Sequence, residues 1–217
     1  RVPRNLSQTD VLEFRQRLCS AAERLFAERG VAGVSMRQLA EALGCSATTP
    51  YRYFRDKDEI LASVRAAAFN RFASALEQAA EVRGDARSKA KAVGEAYLRF
   101  AFEEPNAYKL MFDLSQPDES RYPELVAAGR RSRHTMSDYV RRLVEAGFLA
   151  GDPELLGLLF WAGIHGLVVL RLAGKLPHKP DFATLHREMM QRLARAAAPA
   201  ELPLAVPQSR ADRRKSR

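Results

Sequence analysis

Apolar residues recur every three or four positions along almost the whole chain, which is the spacing of a buried helix face. The first stripe consists of Val11, Phe14, Leu18, Ala21, Ala22 and Leu25, and its helix should end at Gly30. Later stripes predict helices over 57–82, 86–103, 106–113, 122–147, 153–173 and 182–197. No segment alternates with the period of a strand, so the pattern predicts an all-α fold.

Between the first helix and the long helix from Lys57, two helix starts lie close together. Ser35 and Gln38 have the spacing of a capping box, in which each side chain satisfies a free backbone N–H. Gly44 can adopt the left-handed conformation that ends a helix, and Ser46 can cap a second helix two residues later. So short a turn favours a helix-turn-helix whose second helix enters a major groove, over an ordinary two-helix corner.

Pro50 leaves two possible starts for this second helix. If Ser46 is the cap, Pro50 is the fourth helical residue and lacks the N–H that would bond the Ser46 carbonyl, so the first turn should be distorted. If the helix starts at Thr49, Pro50 takes the favoured first helical position, and Ala47 and Thr48 join the turn. We favour the Ser46 start, because the later one leaves little more than one turn.

The outward face of the second helix carries groups suited to DNA. Ala47 and the Thr48 methyl suit a thymine methyl, Arg52 can donate twice to guanine, and the Tyr51 hydroxyl can bond phosphate. Lys57 lies in the first turn of the next helix, at the positive end that attracts phosphate.

Residues 13–61 resemble the DNA-binding domain of the tetracycline-repressor (TetR/AcrR) regulators through the stretches AAERLFAERG, VSMRQLAEALGCS and PYRYFRDKDEIL. The resemblance implies a homodimer whose N-terminal helix-turn-helix domains bind a palindromic operator and whose C-terminal helical domains bind a small molecule. By position, it implies base or phosphate contacts from Ser35, Arg37, Thr48, Thr49, Tyr51, Arg52, Tyr53 and Lys57. The family often has a basic residue in place of Ala47 and Leu in place of Pro50, so base readout should differ here.

The second half extends the resemblance less specifically. YLRFAFEEPNAYKLMFD and the Trp161…His165-Gly166 set resemble the TetR subgroup with a Trp-His-Gly (WHG) C-terminal domain. The predicted organisation is a flexible arm over 1–12, the helix-turn-helix domain over 13–57, the ligand-binding and dimerisation domain over 58–198, and a disordered basic tail over 199–217. The arm could enter a minor groove, but a simple disordered terminus is favoured.

Charge and cysteine content agree with this class. The net charge of +9 is uneven: residues 1–57 carry 10 Lys/Arg against 6 Asp/Glu, and residues 199–217 carry 5 against 2. The basic excess therefore lies where phosphate contacts would use it. Cys19 and Cys45 form neither a metal spacing nor a disulfide framework, which favours the reducing cytoplasm.

The segment 154–174 is apolar on nearly all sides. Its uncharged run is too short for a membrane span and carries His165 at its centre, so we expect it to be buried between the sensor core and a second subunit. Close approach of a partner helix at its glycines would make the dimer interface. The interface residues predicted here are Gly157, Gly163, Gly166, Leu185, Met189 and Leu193.

Large side chains on the sensor helices could form an apolar effector pocket, although core packing is the favoured role for each one alone. The candidates are Phe69, Phe72, Tyr97, Phe100, Met111, Met136, Tyr139, Trp161 and His165. An enzyme is the competing class, but no Glu-x-x-His pair, Gly-x-Ser-x-Gly or phosphate loop occurs, so no catalytic residue, metal or cofactor is predicted. An architectural DNA-binding protein is a third class. The sequence thus predicts a homodimeric repressor released by a small apolar effector, with activation as the alternative.

Overall fold

The computed structural model describes residues 7–113 and 118–199, and within these ranges the regular elements are helices. They are α1 (Gln8–Arg29), α2 (Met36–Ala42), α3 (Lys57–Ala80), α4 (Ala86–Glu103), α5 (Pro105–Met111), α6 (Pro123–Glu145), α7 (Pro153–Leu172) and α8 (Phe182–Ala196). Two short 3₁₀ helices, Pro50–Arg52 and Glu119–Arg121, complete the set. The all-α prediction is confirmed, and the predicted bounds of α4 match those observed.

Helix α1 begins earlier than the sequence analysis expected. Ser7 accepts a hydrogen bond from the Asp10 N–H, and the Asp10 carboxylate accepts one from the Ser7 N–H, each at 3.0 Å. This capping box makes residues 8–12 helical, so the predicted arm over 1–12 is wrong for that part. The helix ends before Gly30, whose positive φ of 72° with a ψ of 156° is a conformation that glycine adopts without strain. The arm over 1–6 and the tail over 200–217 lie outside the described residues.

Two buried clusters divide the apolar interior. The first, the N-terminal core, joins α1, α2 and the first part of α3 through Leu18, Phe26, Leu39, Phe54, Ile60, Leu61 and Val64, among others. It extends past the predicted boundary at residue 57, because α3 is one uninterrupted helix. It also includes Leu110 from α5, far along the chain. The second, the central core, is formed by all five helices from α3 through α7. Its residues include Phe72, Leu76, Tyr97, Tyr108, Leu125 and Ile164.

Within this single chain, helix α7 is buried on one side only, so the expected burial of its other side against a second subunit stays a prediction. Phe160, Ile164 and Val168 face the interior, whereas Leu155 and Leu159 are 56% and 47% exposed. By length and composition alone α7 would also pass as a membrane-spanning helix. Its inward face packs against α6 and α8.

The three glycines of α7 have different surroundings. A Cβ on Gly157 would lie 3.4 Å from Ser137 of α6, and one on Gly163 would lie 2.9 Å from the sulfur of Met189 in α8. Both therefore allow close packing within the chain, which corrects their assignment to the dimer interface. Met189 and Leu193 likewise meet Gly163 of the same chain. A Cβ on Gly166 would meet nothing within 4 Å, so this glycine faces open space.

Candidate nucleic-acid interface and inner cavity

The turn after α2 brings most of the residues predicted to contact DNA onto one segment, residues 46–52. Gly44 has the expected left-handed φ of 66°, and the Thr49 N–H bonds the Ser46 carbonyl at 2.9 Å. The helix begins at Pro50 as a 3₁₀ turn, so the favoured Ser46 start is wrong and the alternative Thr49 start describes the structure. The reason is that Pro50 has no N–H to offer the Ser46 carbonyl, which Thr49 satisfies instead.

Hydroxyl groups and one guanidinium face solvent here. Ser46 Oγ lies 3.0 Å from Thr48 Oγ1 and 2.9 Å from Thr49 Oγ1, so the three hydroxyls form one network. Tyr51 is 57% exposed, unusual for an aromatic side chain, and Arg52 beside it is exposed. Ala47 is exposed as well, inside the turn.

The start of α2 adds two exposed groups to this surface. Ser35 caps α2 in the predicted box with Gln38, its own N–H donating to Gln38 Oε1 at 2.8 Å. Arg37 is exposed and forms an ion pair with Glu41 at 2.9 Å, which holds it loosely on the helix surface. The resemblance implies base or phosphate contacts from both residues.

Tyr53 supports the segment from beneath. Its ring stacks on Phe14 with centroids 4.1 Å apart, and its carbonyl accepts a hydrogen bond from Arg15. The Arg15 guanidinium also lies 3.9 Å from the centre of the Phe54 ring and 3.5 Å from Glu59. Arg15 thus ties α1 to the 3₁₀ turn, a role that the spacing of apolar residues in α1 does not signal.

Lys57 has partners inside the chain. Its ammonium donates to the carbonyls of Val31 and Val34 at 2.7 and 2.9 Å, which fastens the loop between α1 and α2 to α3. Asp56 caps α3 by accepting the Glu59 N–H at 2.8 Å, and this hydrogen bond is the main cause of its lowered pKa. An ammonium has three N–H donors, so one remains for the phosphate contact predicted for Lys57.

Lys57→Met is therefore expected to lower the free energy of unfolding by about 1–3 kcal/mol, because two carbonyls lose a charged donor. Urea unfolding followed by circular dichroism measures the change. Lys91→Met is the matched control, since Lys91 is exposed and pairs only at 3.8 Å with Glu95 within α4. Equal stability of the two variants would show that the carbonyl contacts contribute nothing.

A chain of polar groups crosses the central core. The hydroxyls of Tyr97 and Tyr108 lie 2.7 Å apart, and the Tyr108 hydroxyl lies 2.7 Å from His165 Nδ1. Burial raises the pKa of both tyrosines and lowers the pKa of His165, so all three are neutral at neutral pH. They form a hydrogen-bonded network between α4, α5 and α7.

Beside this network lies an inner cavity of about 20 Å³, hardly more than one water molecule needs. Tyr97, Met136, Tyr139 and Trp161 line it. The other predicted pocket residues do not line it. Phe69, Phe72, Phe100 and Met111 pack in the surrounding core, and His165 bonds the Tyr108 hydroxyl at the end of the polar network. Gly94 also lines the cavity, and sequence reasoning missed it.

Both halves of the chain match models of known protein families. Residues 18–64 match the family described as bacterial regulatory proteins, tetR family, and residues 90–193 match the tetracyclin repressor-like C-terminal domain. The chain belongs to the TetR family. The N-terminal match covers both the 3₁₀ turn and α2, and the C-terminal match covers the residues that line the inner cavity except Leu76 of α3. These matches leave the Trp-His-Gly subgroup as an expectation.

Individual proteins are also similar to this chain, and two of them are named HTH-type regulators. The chain is 26% identical over 132 residues to the HTH-type transcriptional activator FasR of Mycolicibacterium smegmatis, covering 61% of this chain and 59% of FasR. It is 38% identical over 69 residues to an HTH-type transcriptional regulator of Staphylococcus aureus, covering 32% of this chain and 37% of that one. A protein with unknown function from Rhodococcus sp. RHA1 has a similar structure, with TM-score 0.74, 27% identity, and coverage of 92% and 100%. The matches thus span less than two thirds of the two named regulators.

The joint between the two cores is built around Arg65 of α3. This side chain is only 3% exposed, and it donates to the carbonyls of Leu110 and Met111, each at 3.1 Å. It also pairs with Glu119 at 2.5 Å. Arg65 thereby satisfies the free carbonyls at the end of α5. The same helix places Leu110 in the N-terminal core and Tyr108 in the polar network of the central core.

Proposed function

We propose that this protein is a homodimeric, DNA-binding transcriptional regulator that leaves a palindromic operator when a small effector binds. The observation that carries the proposal is the segment 46–52, which is exposed apart from Thr49 and Pro50 and presents hydroxyl groups, Tyr51 and Arg52 to solvent. Such a regulator acts in the cytoplasm. Repression is the sign of regulation we propose, although the relative FasR is named an activator.

The DNA contacts divide into two kinds. Arg52 is the candidate base reader, since a guanidinium donates two hydrogen bonds to guanine, and Ala47 and the Thr48 methyl are apolar partners for thymine. Ser35, Arg37, Thr49, Tyr51 and the third N–H of Lys57 are candidate phosphate contacts. Tyr53 is assigned a supporting role, because its ring stacks on Phe14.

The dimer interface in this proposal is the exposed face of α7. Leu155, Leu159, Ala162, Gly166 and Val169 follow each other at spacings of four and three residues, so they form one stripe along the helix. An apolar stripe of this length on a soluble protein marks a protein interface. Leu185 of α8 is half-buried and remains a candidate for the edge of this interface.

Helix α5 is the proposed link between effector and DNA. A molecule that displaces Tyr108 shifts α5, and α5 carries Leu110 into the N-terminal core. Because Arg65 holds the end of α5, the shift passes to α3 as well. The distance between the two reading segments of the dimer would then no longer match successive major grooves, about 34 Å apart.

Footprinting on the DNA upstream of the gene tests the proposal. Arg52→Ala is expected to relax base preference at one operator position by about 1–3 kcal/mol. Arg192→Ala is the matched control, since Arg192 is an exposed arginine on α8. Unchanged preference in Arg52→Ala would place the reading face elsewhere. Equal affinity for operator and random DNA at physiological salt would instead indicate an architectural protein.

A further inference from the structure

The segment that carries Arg52 has little regular structure of its own. It is a 3₁₀ turn of three residues, Pro50–Arg52. The Arg52 N–H bonds the Thr49 carbonyl at 3.1 Å, and the Tyr53 N–H bonds the Pro50 carbonyl at 3.0 Å. Hydrogen bonds in a 3₁₀ helix are poorly aligned, so a single turn does not hold its geometry alone. The direction of the Arg52 side chain therefore depends on the contacts that fix the ends of the turn.

Arg15 of α1 fixes the end that follows Arg52. Its guanidinium donates a hydrogen bond to the carbonyl of Tyr53, the next residue along the chain, and lies 3.9 Å from the centre of the Phe54 ring. Phe54 is only 2% exposed, so the cation rests on a ring that the N-terminal core holds in place. One side chain of α1 thus contacts both residues that come directly after the turn.

Glu59 of α3 holds the Arg15 side chain in this position. One oxygen of its carboxylate lies 3.5 Å from Arg15 Nη2, and the other accepts the Arg55 N–H at 2.8 Å. The carboxylate therefore joins α1, α3 and the backbone beyond the turn. Without the charge of Glu59, the long Arg15 side chain would regain rotamers that the ion pair excludes.

We propose that Arg15 and Glu59 are a positioning pair, which sets the direction from which Arg52 reaches a base and does not itself contact DNA. This assignment rests on the proposed function, because it concerns base reading by Arg52. Hydrogen bonds to a base edge need a closely placed donor, and a residue placed by its neighbours loses that geometry when they move. The two side chains are 30% and 28% exposed, so loss of the ion pair costs little stability, and base reading can be measured apart from folding.

Glu59→Gln tests the pair with the least disturbance to the fold, since the glutamine oxygen can still accept the Arg55 N–H. We expect the preference for the base pair read by Arg52 to fall by about three- to tenfold, a part of what Arg52→Ala loses. Glu13→Gln is the matched control, because Glu13 is exposed on α1 and its substitution changes the net charge equally. Competition binding with operator duplexes, each with one base pair replaced, measures the preference. Equal preference in the two glutamine variants would overturn the proposal.

Combination with Arg52→Ala tests whether the pair acts through Arg52. Once this side chain is absent, Glu59→Gln should cause no further loss of preference at the same base pair. Losses that add up in the double variant would show that the pair acts elsewhere, and would contradict the assignment.

Arg15→Met separates positioning from a direct phosphate contact. Loss of a phosphate contact reduces the slope of log affinity against log salt by about 1, whereas loss of a positioning residue leaves the slope on random DNA unchanged and lowers base preference. A flatter slope would make Arg15 a DNA contact and overturn the proposal. An unmodified protein with no base preference in its footprint would refute the proposed function itself. An operator that the unmodified protein and the Arg15 and Glu59 variants read equally well would refute this inference alone.

Discussion

Leu155→Glu combined with Leu159→Glu is expected to leave the protein monomeric and to weaken operator binding by about 10²–10⁴-fold. Both side chains are roughly half exposed on the α7 stripe, and a two-fold axis would bring four new carboxylates together there. A monomer contacts one half-site and loses the gain in affinity that comes from holding two sites at once. Sedimentation velocity measures the first effect and operator titration the second.

Leu12→Glu is the matched control for assembly. Leu12 is 67% exposed on α1, so it tests whether any exposed leucine gives the same result. We expect this variant to sediment like the unmodified protein. A dimer that persists in the α7 double variant would move the interface to another surface.

Arg65→Met is expected to lower the free energy of unfolding by about 2–4 kcal/mol, because the carbonyls of Leu110 and Met111 lose their buried charged donor. It should also reduce the difference in operator affinity between the free and effector-bound protein, since α5 is no longer fastened to α3. Chemical unfolding measures the first effect. Operator titration with and without a small molecule that releases the unmodified protein measures the second.

Arg71→Met provides the control on the same helix. Arg71 also links distant elements, through Glu23 at 3.0 Å and Glu104 at 2.8 Å, but its side chain is 41% exposed. Exposed ion pairs contribute about 0–1 kcal/mol, so its loss should be small. Arg65→Lys should recover only part of the stability, because an ammonium cannot reproduce the fork that spans two carbonyls and a carboxylate. Equal losses in the two methionine variants would show that burial of Arg65 adds nothing.

Features that depend on neighbouring residues could be predicted from the sequence. The capping box at Ser35, the glycine turns at Gly30 and Gly44, and the bounds of α4 follow from local backbone chemistry. The start of the 3₁₀ helix at Pro50 also depends on neighbouring residues alone. There the missing N–H of proline outweighed the preference for a longer helix.

Features that depend on distant residues could not be predicted in this way. Nothing in the local sequence shows that Lys57 bonds the carbonyls of Val31 and Val34, or that Arg15 reaches Tyr53. Likewise, Gly157 and Gly163 look alike in sequence to Gly166, but α6 and α8 cover the first two. A stripe of small residues predicts close packing, although it does not say which chain provides the partner.

The position of Leu110 has a consequence for anyone who wishes to build hybrid regulators from this chain. A graft of residues 7–64 onto a foreign sensor would leave out one side chain of the N-terminal core, which only α5 provides. The transplanted piece would then contain a leucine-sized void, and buried leucine deletions cost about 3–5 kcal/mol. The reading unit is therefore not an interchangeable part, and a working hybrid must carry a residue that refills that void.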